Sequence, residues 1–103
     1  MAQVRLTEQA QSELDAIIDY HERVGAADFA EVLEEKIIEM IRRLGRFPRM
    51  GRMVPEIGDA AIREVLYRHY RIVYVVDRND EEVAVLTIFH SSQQFGALDS
   101  PEE

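Results

Sequence analysis

Residues 62–90, IREVLYRHYRIVYVVDRNDEEVAVLTIFH, carry the sequence pattern that decides the fold. Residues 62–67 alternate between apolar and polar side chains, and residues 70–76 are nearly all β-branched or aromatic. Both patterns are typical of β-strands. The polar run at 77–82 predicts a hairpin turn that leads into another apolar stretch at 83–89. The segment therefore predicts three consecutive strands that pair antiparallel.

Two amphipathic helices are predicted before this segment. The first begins after a candidate N-cap at Thr7, and its apolar face holds Leu14, Ile17, Ile18, His21 and Val24. Gly25 separates it from the second helix, which ends at Gly45. The predicted apolar stripe of the second helix is Phe29, Val32, Leu33, Ile37, Met40, Ile41 and Leu44. The short connection predicts a helical hairpin.

The remaining segments complete an α+β architecture. Residues 3–6 alternate and predict an opening strand, whereas residues 45–58, GRFPRMGRMVPEIG, have no periodicity and predict an arginine-rich loop. The predicted order is β-α-α-β-β-β, with the helical hairpin packed on one face of a small antiparallel sheet. We expect residues 1–96 to form a single domain and residues 97–103 to form an acidic flexible tail.

The predicted sheet is apolar on both faces, although a single helical hairpin can cover only one. An antiparallel sheet with one solvated face normally shows polar residues there. We therefore expect an uncovered apolar face, which usually marks a partner surface; its residues are Val73, Val75, Leu86 and Ile88. The isolated protein would then be poorly soluble or a homodimer. The alternative is that the strands curl strongly and the C-terminal segment folds back over this face.

The amino-acid composition excludes several kinds of functional site. The 103 residues include no cysteine, which excludes disulfides, thiolate nucleophiles and cysteine-bound zinc and fits a cytoplasmic protein. No secretory leader and no membrane-spanning apolar stretch is visible. The histidines at 21, 69 and 90 are too scattered to predict a metal site, and nothing predicts a cofactor.

Charge is distributed unevenly. The chain has a net charge of −8, which argues against direct nucleic-acid binding, yet residues 42–78 hold nine bases and four acids, a net charge of +5. Eleven of the twelve bases are arginine, which suits carboxylate or phosphate recognition, although codon composition explains the bias equally well.

Four residues of the predicted sheet are candidates for contact with a target. Arg63, Arg68 and Arg71 lie on or between neighbouring strands, and His90 at the end of the last strand could join them. An arginine among apolar residues can hold a carboxylate or phosphate. The alternative is that these arginines pair with the acids of the helices.

Residues 62–95 resemble the C-terminal half of the ParE/RelE superfamily of toxins from type II toxin–antitoxin systems. The resemblance rests on an arginine followed by a Tyr-Arg pair, two hydrophobic residues and a tyrosine, and then on an acidic turn, an apolar strand and a closing histidine. The matching residues are Arg63, Tyr70, Arg71, Tyr74 and His90. The opening strand, the Thr7-led helix and the FPRMGRMVPE loop are also similar to ParE-type members. The resemblance covers residues 3–95.

The resemblance implies a small cytoplasmic toxin that is neutralised by a cognate antitoxin. A disordered antitoxin segment would fold onto the sheet and helices, and the predicted uncovered face supplies its contacts at Val73, Val75, Leu86 and Ile88. ParE-like members act on DNA gyrase, whereas RelE-like members cleave mRNA on the ribosome.

The sequence departs from the RNA-cleaving pattern. Arg71 and His90 are the candidate catalytic residues, but residues 91–94 are Ser-Ser-Gln-Gln where such members carry basic residues, and Phe95 lacks a hydroxyl. The ribonuclease set is therefore incomplete, and the ParE-like function is favoured. The alternatives are a RelE-like ribosome-dependent mRNA interferase and a non-toxic interaction module of the same fold.

Overall fold

The structure, a computed structural model, describes residues 1–96. It confirms the α+β class, the opening strand, the helical hairpin and the three C-terminal strands. The elements are β1 (Gln3–Leu6), α1 (Glu8–Arg23), α2 (Ala27–Arg43), β2 (Arg52–Met53), β3 (Ile62–Tyr67), β4 (Tyr70–Val76) and β5 (Glu82–His90). The tail predicted at 97–103 lies outside the described residues. In the part of the chain that is described, neither helix is long and apolar enough to cross a membrane.

The sheet has the strand order β1-β5-β4-β3-β2. Strands β3, β4 and β5 pair antiparallel as predicted, whereas β1 pairs parallel with β5. The sheet is therefore mixed, and the prediction of an antiparallel sheet is wrong for β1. Parallel neighbours need a long connection, which the two helices and three strands between β1 and β5 supply. The predicted arginine-rich loop also contains β2, which pairs antiparallel with β3.

Thr7 fastens the first helix to the sheet. Its Oγ1 accepts a hydrogen bond from the Ala10 N–H at 3.2 Å, as an N-cap does, and donates one to the Leu86 carbonyl, also at 3.2 Å. Thr7 is completely buried. The start of α1 is thus held against β5.

The helices cover one face of the sheet and form the main core. From α2 the buried residues are Ala30, Leu33, Ile37 and Ile41. Phe29 and Val32, which the sequence assigned to the core stripe, are exposed. Each precedes a buried residue by one position, and one helical step turns a side chain by roughly 100° away from the core.

A β-bulge alters the predicted face of the last strand. Val73 pairs with Thr87 but Tyr74 pairs with Val85, so Leu86 is an extra residue on β5. Beyond the bulge Ile88 lies opposite Ile72 and packs in the helix-facing core. The grouping of Ile88 on the same face as Val73 and Val75 is therefore wrong.

The second face is covered in part by the chain itself. Val73 packs with Val54 and Phe89 in a second cluster, and Phe95 packs against that cluster. Val73, Leu86 and Ile88 are at most 2% exposed, so the expectation that they form an open surface is wrong. Val75 alone of the four predicted residues is partly exposed.

Candidate functional site

Arg71 is the centre of a group of paired charges on the second face of the sheet. Its Nε donates to Glu64 Oε1 at 2.6 Å, and Nη1 and Nη2 donate to the two carboxylate oxygens of Glu56 at 2.8 and 2.9 Å. Arg52 Nε donates to Glu64 Oε2 at 2.7 Å. We call these four residues the Arg71 cluster. Both carboxylates are bound by charge-assisted hydrogen bonds.

The strand register explains the position of these residues. Arg52 lies opposite Glu64, and Glu64 lies opposite Val73, two residues after Arg71 on β4. Side chains two residues apart on a strand share a face, so Arg71 and Glu64 are diagonal neighbours. Glu56 comes from the turn after β2, in which the Gly58 N–H donates to the Val54 carbonyl at 2.9 Å.

The Arg71 cluster is largely shielded from water. The side chain of Glu64 is 0% exposed and that of Arg71 is 11% exposed, whereas Glu56 remains half-exposed. The guanidinium carbon of Arg71 lies 5.2 Å from the ring centroid of Phe89 and 5.4 Å from that of Phe95. A buried charge must be neutralised by a partner. Because two carboxylates already occupy Arg71, an external anion must displace Glu56 to reach it.

The pairing shifts the ionisation of both partners. The hydrogen bond from Arg71 lowers the pKa of Glu56 from 4.5 to about 2. The hydrogen bond to Glu56 raises the pKa of Arg71 further above its ordinary value. Since the pKa of Glu56 is lowered by folding, its stabilising effect is fully present above pH 4.5 and is lost as the pH falls towards 2.

Arg63 fastens two loops to the sheet. Its Nη1 donates to the Gly51 carbonyl at 2.9 Å, and its Nε donates to the Ala60 carbonyl at 3.0 Å. The Gly51 N–H donates to Tyr74 Oη at 3.0 Å. A Cβ on Gly51 would lie 2.4 Å from the Glu64 carbonyl oxygen and 2.7 Å from Tyr74 Oη. This close approach requires a glycine.

Arg68 and His90 lie at the end of the sheet near the β3–β4 turn. Arg68 has a φ of 52° in this turn, and its guanidinium carbon is 5.9 Å from the ring centroid of Phe29. The ring of His90 is 5.4 Å from that of Tyr70, and its Nδ1 lies 2.7 Å from Ser92 Oγ. Tyr70 Oη lies 3.1 Å from His21 Nε2, and burial raises the pKa of Tyr70.

The four predicted target-binding residues do not form one site. In the register of β4 and β5, Arg71 lies opposite Phe89 and Tyr70 lies opposite His90. Arg71 and His90 therefore occupy successive register positions, and their side chains point to opposite faces of the sheet. A shared catalytic role for these two residues would require them to meet, which this register prevents. Within residues 1–96, no group of His, Asp and Glu side chains is arranged to hold a metal ion.

The two carboxylates of the Arg71 cluster were not predicted from the sequence. Glu64 had a visible signal, because it shares its strand face with Ile62 and Leu66 and is thus a charge in an otherwise apolar row. Such a charge needs a partner when buried. Glu56 had no comparable signal, since it lies in a loop without periodicity.

A pocket lies beside Val75 at the other end of the second face. Arg5, Ala84, Val75 and Ile62 occupy one row across four strands. Together with neighbouring residues of β1 and β5, the first three line a pocket of about 330 Å³. Val75 is the predicted antitoxin-contact residue that a partner could touch here.

Solved structures of toxin–antitoxin systems share this fold. The chain is similar to a structure of the chromosomal ParDE system from P. aeruginosa, with a TM-score of 0.71 and 23% identity over 87% of this chain and 96% of that chain. It is also similar to one from the RelBE2 toxin–antitoxin complex of Mycobacterium tuberculosis, with a TM-score of 0.62 and 21% identity over 86% and 96%. Among curated proteins, none matches the sequence.

A comparison of the sequence with models of protein families shows the family of the chain. The model of the ParE toxin of the type II toxin–antitoxin system parDE matches residues 4–95, which include every strand and helix described above except the first residue of β1. The match confirms the resemblance noted in the sequence. The chain belongs to the ParE toxin family.

Proposed function

We propose that this chain is a toxin that inhibits a cytoplasmic target by binding it, and that a cognate antitoxin neutralises it by folding onto its surface. The observation that carries the proposal is a set of exposed apolar side chains near the tip of the helical hairpin, where the His21 ring lies 5.2 Å from that of Tyr20 and 5.0 Å from that of Phe29. This hairpin-tip patch consists of Tyr20, Val24, Phe29 and Val32, whose exposures lie between 39% and 58%. Exposed apolar groups of this kind favour a segment that folds upon binding.

The pocket beside Val75 offers the antitoxin a second contact. Val75 is partly exposed there, and the exposed side chain of Arg5 lies in the same row. Val73, Leu86 and Ile88 are buried, so we do not expect the antitoxin to touch them. An antitoxin segment that reaches both places would contact the sheet as well as the helices.

The geometry favours inhibition by binding over RNA cleavage. Cleavage requires a general base and cations that converge on one phosphate. Here Arg71 is occupied by Glu56 and Glu64, and His90 points to the other face of the sheet. The net charge of −8 also opposes approach to RNA. We therefore propose a ParE-like action, with DNA gyrase as the target.

We expect the purified chain to inhibit DNA supercoiling by gyrase and the antitoxin to relieve that inhibition. In a translating extract the chain should leave transcripts intact. Transcript cleavage that is lost in His90→Ala would contradict the proposal and favour a RelE-like interferase. A folded chain that inhibits neither process would favour a non-toxic interaction module.

A further inference from the structure

The arginine-rich loop forms a pocket that the proposed toxin function does not use. The pocket has a volume of about 510 Å³ and lies between the end of α2, the loop after it and the β4–β5 turn. We call it the loop pocket; it is lined by Arg43, Phe47, Pro48, Arg49, Met50 and Asp80. It is distinct from the hairpin-tip patch and from the pocket beside Val75. We propose that the loop pocket binds an acidic peptide segment of a partner protein, which inserts an apolar side chain.

The floor of the loop pocket is apolar and held in place. Phe47 is 52% exposed and Met50 is 36% exposed, although both are large apolar side chains. The Phe47 N–H donates to the Arg43 carbonyl at 3.0 Å, and the Met50 N–H donates to the Phe47 carbonyl at 3.1 Å. These bonds hold the backbone that carries both side chains before a ligand arrives, which lowers the entropy cost of ordering the loop on binding.

The rim of the loop pocket is positively charged. Residues 42–52 contain five arginines and no acid, in a chain whose net charge is −8. Within the described residues 1–96, Arg42, Arg43 and Arg46 take part in no ion pair. Asp80 is the acid at the rim, and Arg49 Nε neutralises it at 3.0 Å. Of these three arginines, Arg43 lines the pocket, and Arg42 and Arg46 belong to the same segment of the chain. The rim thus offers one unpaired guanidinium group beside the apolar floor and the neutralised Arg49–Asp80 pair.

This combination fits an acidic peptide better than the other possible occupants. An apolar anchor surrounded by charged contacts is the usual arrangement of a protein–protein contact centre. Arginine binds carboxylates through two parallel hydrogen bonds. A nucleic acid carries a charge on every phosphate, so the net charge of −8 repels it more strongly than a short peptide with a few carboxylates. Charge complementarity therefore selects a segment rich in Asp and Glu that carries Leu or Phe.

The test measures the fluorescence anisotropy of a labelled peptide. The probe is a short peptide of repeated Glu-Leu-Leu-Glu units, and its control is the same peptide with Lys in place of Glu. We expect the chain to bind the acidic peptide, and to bind it more weakly as salt is raised. Phe47→Ser and the double variant Arg43→Glu, Arg46→Glu should each weaken binding by about ten-fold or more.

Matched controls separate this proposal from general effects. Arg23→Glu reverses an exposed charge on α1, far along the chain from the loop, and should bind like the wild type. Circular dichroism checks that Phe47→Ser and the double variant are folded. Equal binding of the acidic and basic peptides, or unchanged affinity in folded variants, would overturn the proposal. So would tighter binding of a single-stranded DNA oligonucleotide, or self-association that both variants abolish. None of these results depends on whether the chain inhibits gyrase.

Discussion

Replacing Arg71 with alanine is expected to lower the free energy of unfolding by about 3–5 kcal/mol, which is the usual effect of removing one partner from a buried ion pair. The variant leaves Glu64 completely buried with Arg52 as its remaining cation, and it also removes the contact between the guanidinium and the rings of Phe89 and Phe95. Urea unfolding followed by circular dichroism measures the change as a shift in midpoint.

Two further variants show whether this loss comes from the buried charge. Arg23→Ala removes an arginine from an exposed ion pair with Asp19 and should cost less than about 1 kcal/mol. Adding Glu64→Gln to Arg71→Ala removes the buried charge itself and should restore part of the lost stability. A loss below about 1 kcal/mol for Arg71→Ala would mean that Arg71 is not a structural cation and is available to bind a target.

Replacing Gly51 with alanine is expected to lower the free energy of unfolding by about 2–3 kcal/mol. The new Cβ would lie 2.4 Å from the Glu64 carbonyl oxygen, which is backbone and cannot rotate away. The loop must therefore move, and the hydrogen bonds of Gly51 with Tyr74 Oη and Arg63 Nη1 would weaken together. The measurement is again the urea midpoint.

Gly96→Ala is the matched control for the glycine variant. A Cβ on Gly96 meets no atom within 4 Å, so its effect on the unfolding free energy should be within about 0.5 kcal/mol. Equal stability of Gly51→Ala and Gly96→Ala would contradict the close packing of the loop against β3 and β4.

The elements that were predictable from the sequence are those with a local signal. The alternation at 62–67 and the apolar run at 70–76 depend only on neighbouring residues, and both became strands as predicted. The cap at Thr7 is equally local. The parallel pairing of β1 with β5 depends on residues about 80 positions apart, so no short pattern reports it.

The candidate site was harder to predict, because a shift of one residue in the strand register decides which face of the sheet each side chain occupies. Without the bulge at Leu86, Ile88 would share a face with Val75; with it, Ile88 packs under the helices. Pairing of the arginines with acids was the alternative to target contact, and it assigned those acids to the helices. Arg71 instead forms ion pairs with Glu64 on the neighbouring strand β3 and with Glu56 in the loop after β2.

Growth of a bacterial culture after induced expression of the chain tests most directly whether it is a toxin controlled by an antitoxin. Growth should stop when the chain is expressed alone and resume when the product of the adjoining reading frame is expressed with it, and the two proteins should purify together. Unimpaired growth in cells that accumulate the folded chain would contradict a toxic function and leave an interaction module of the ParE fold.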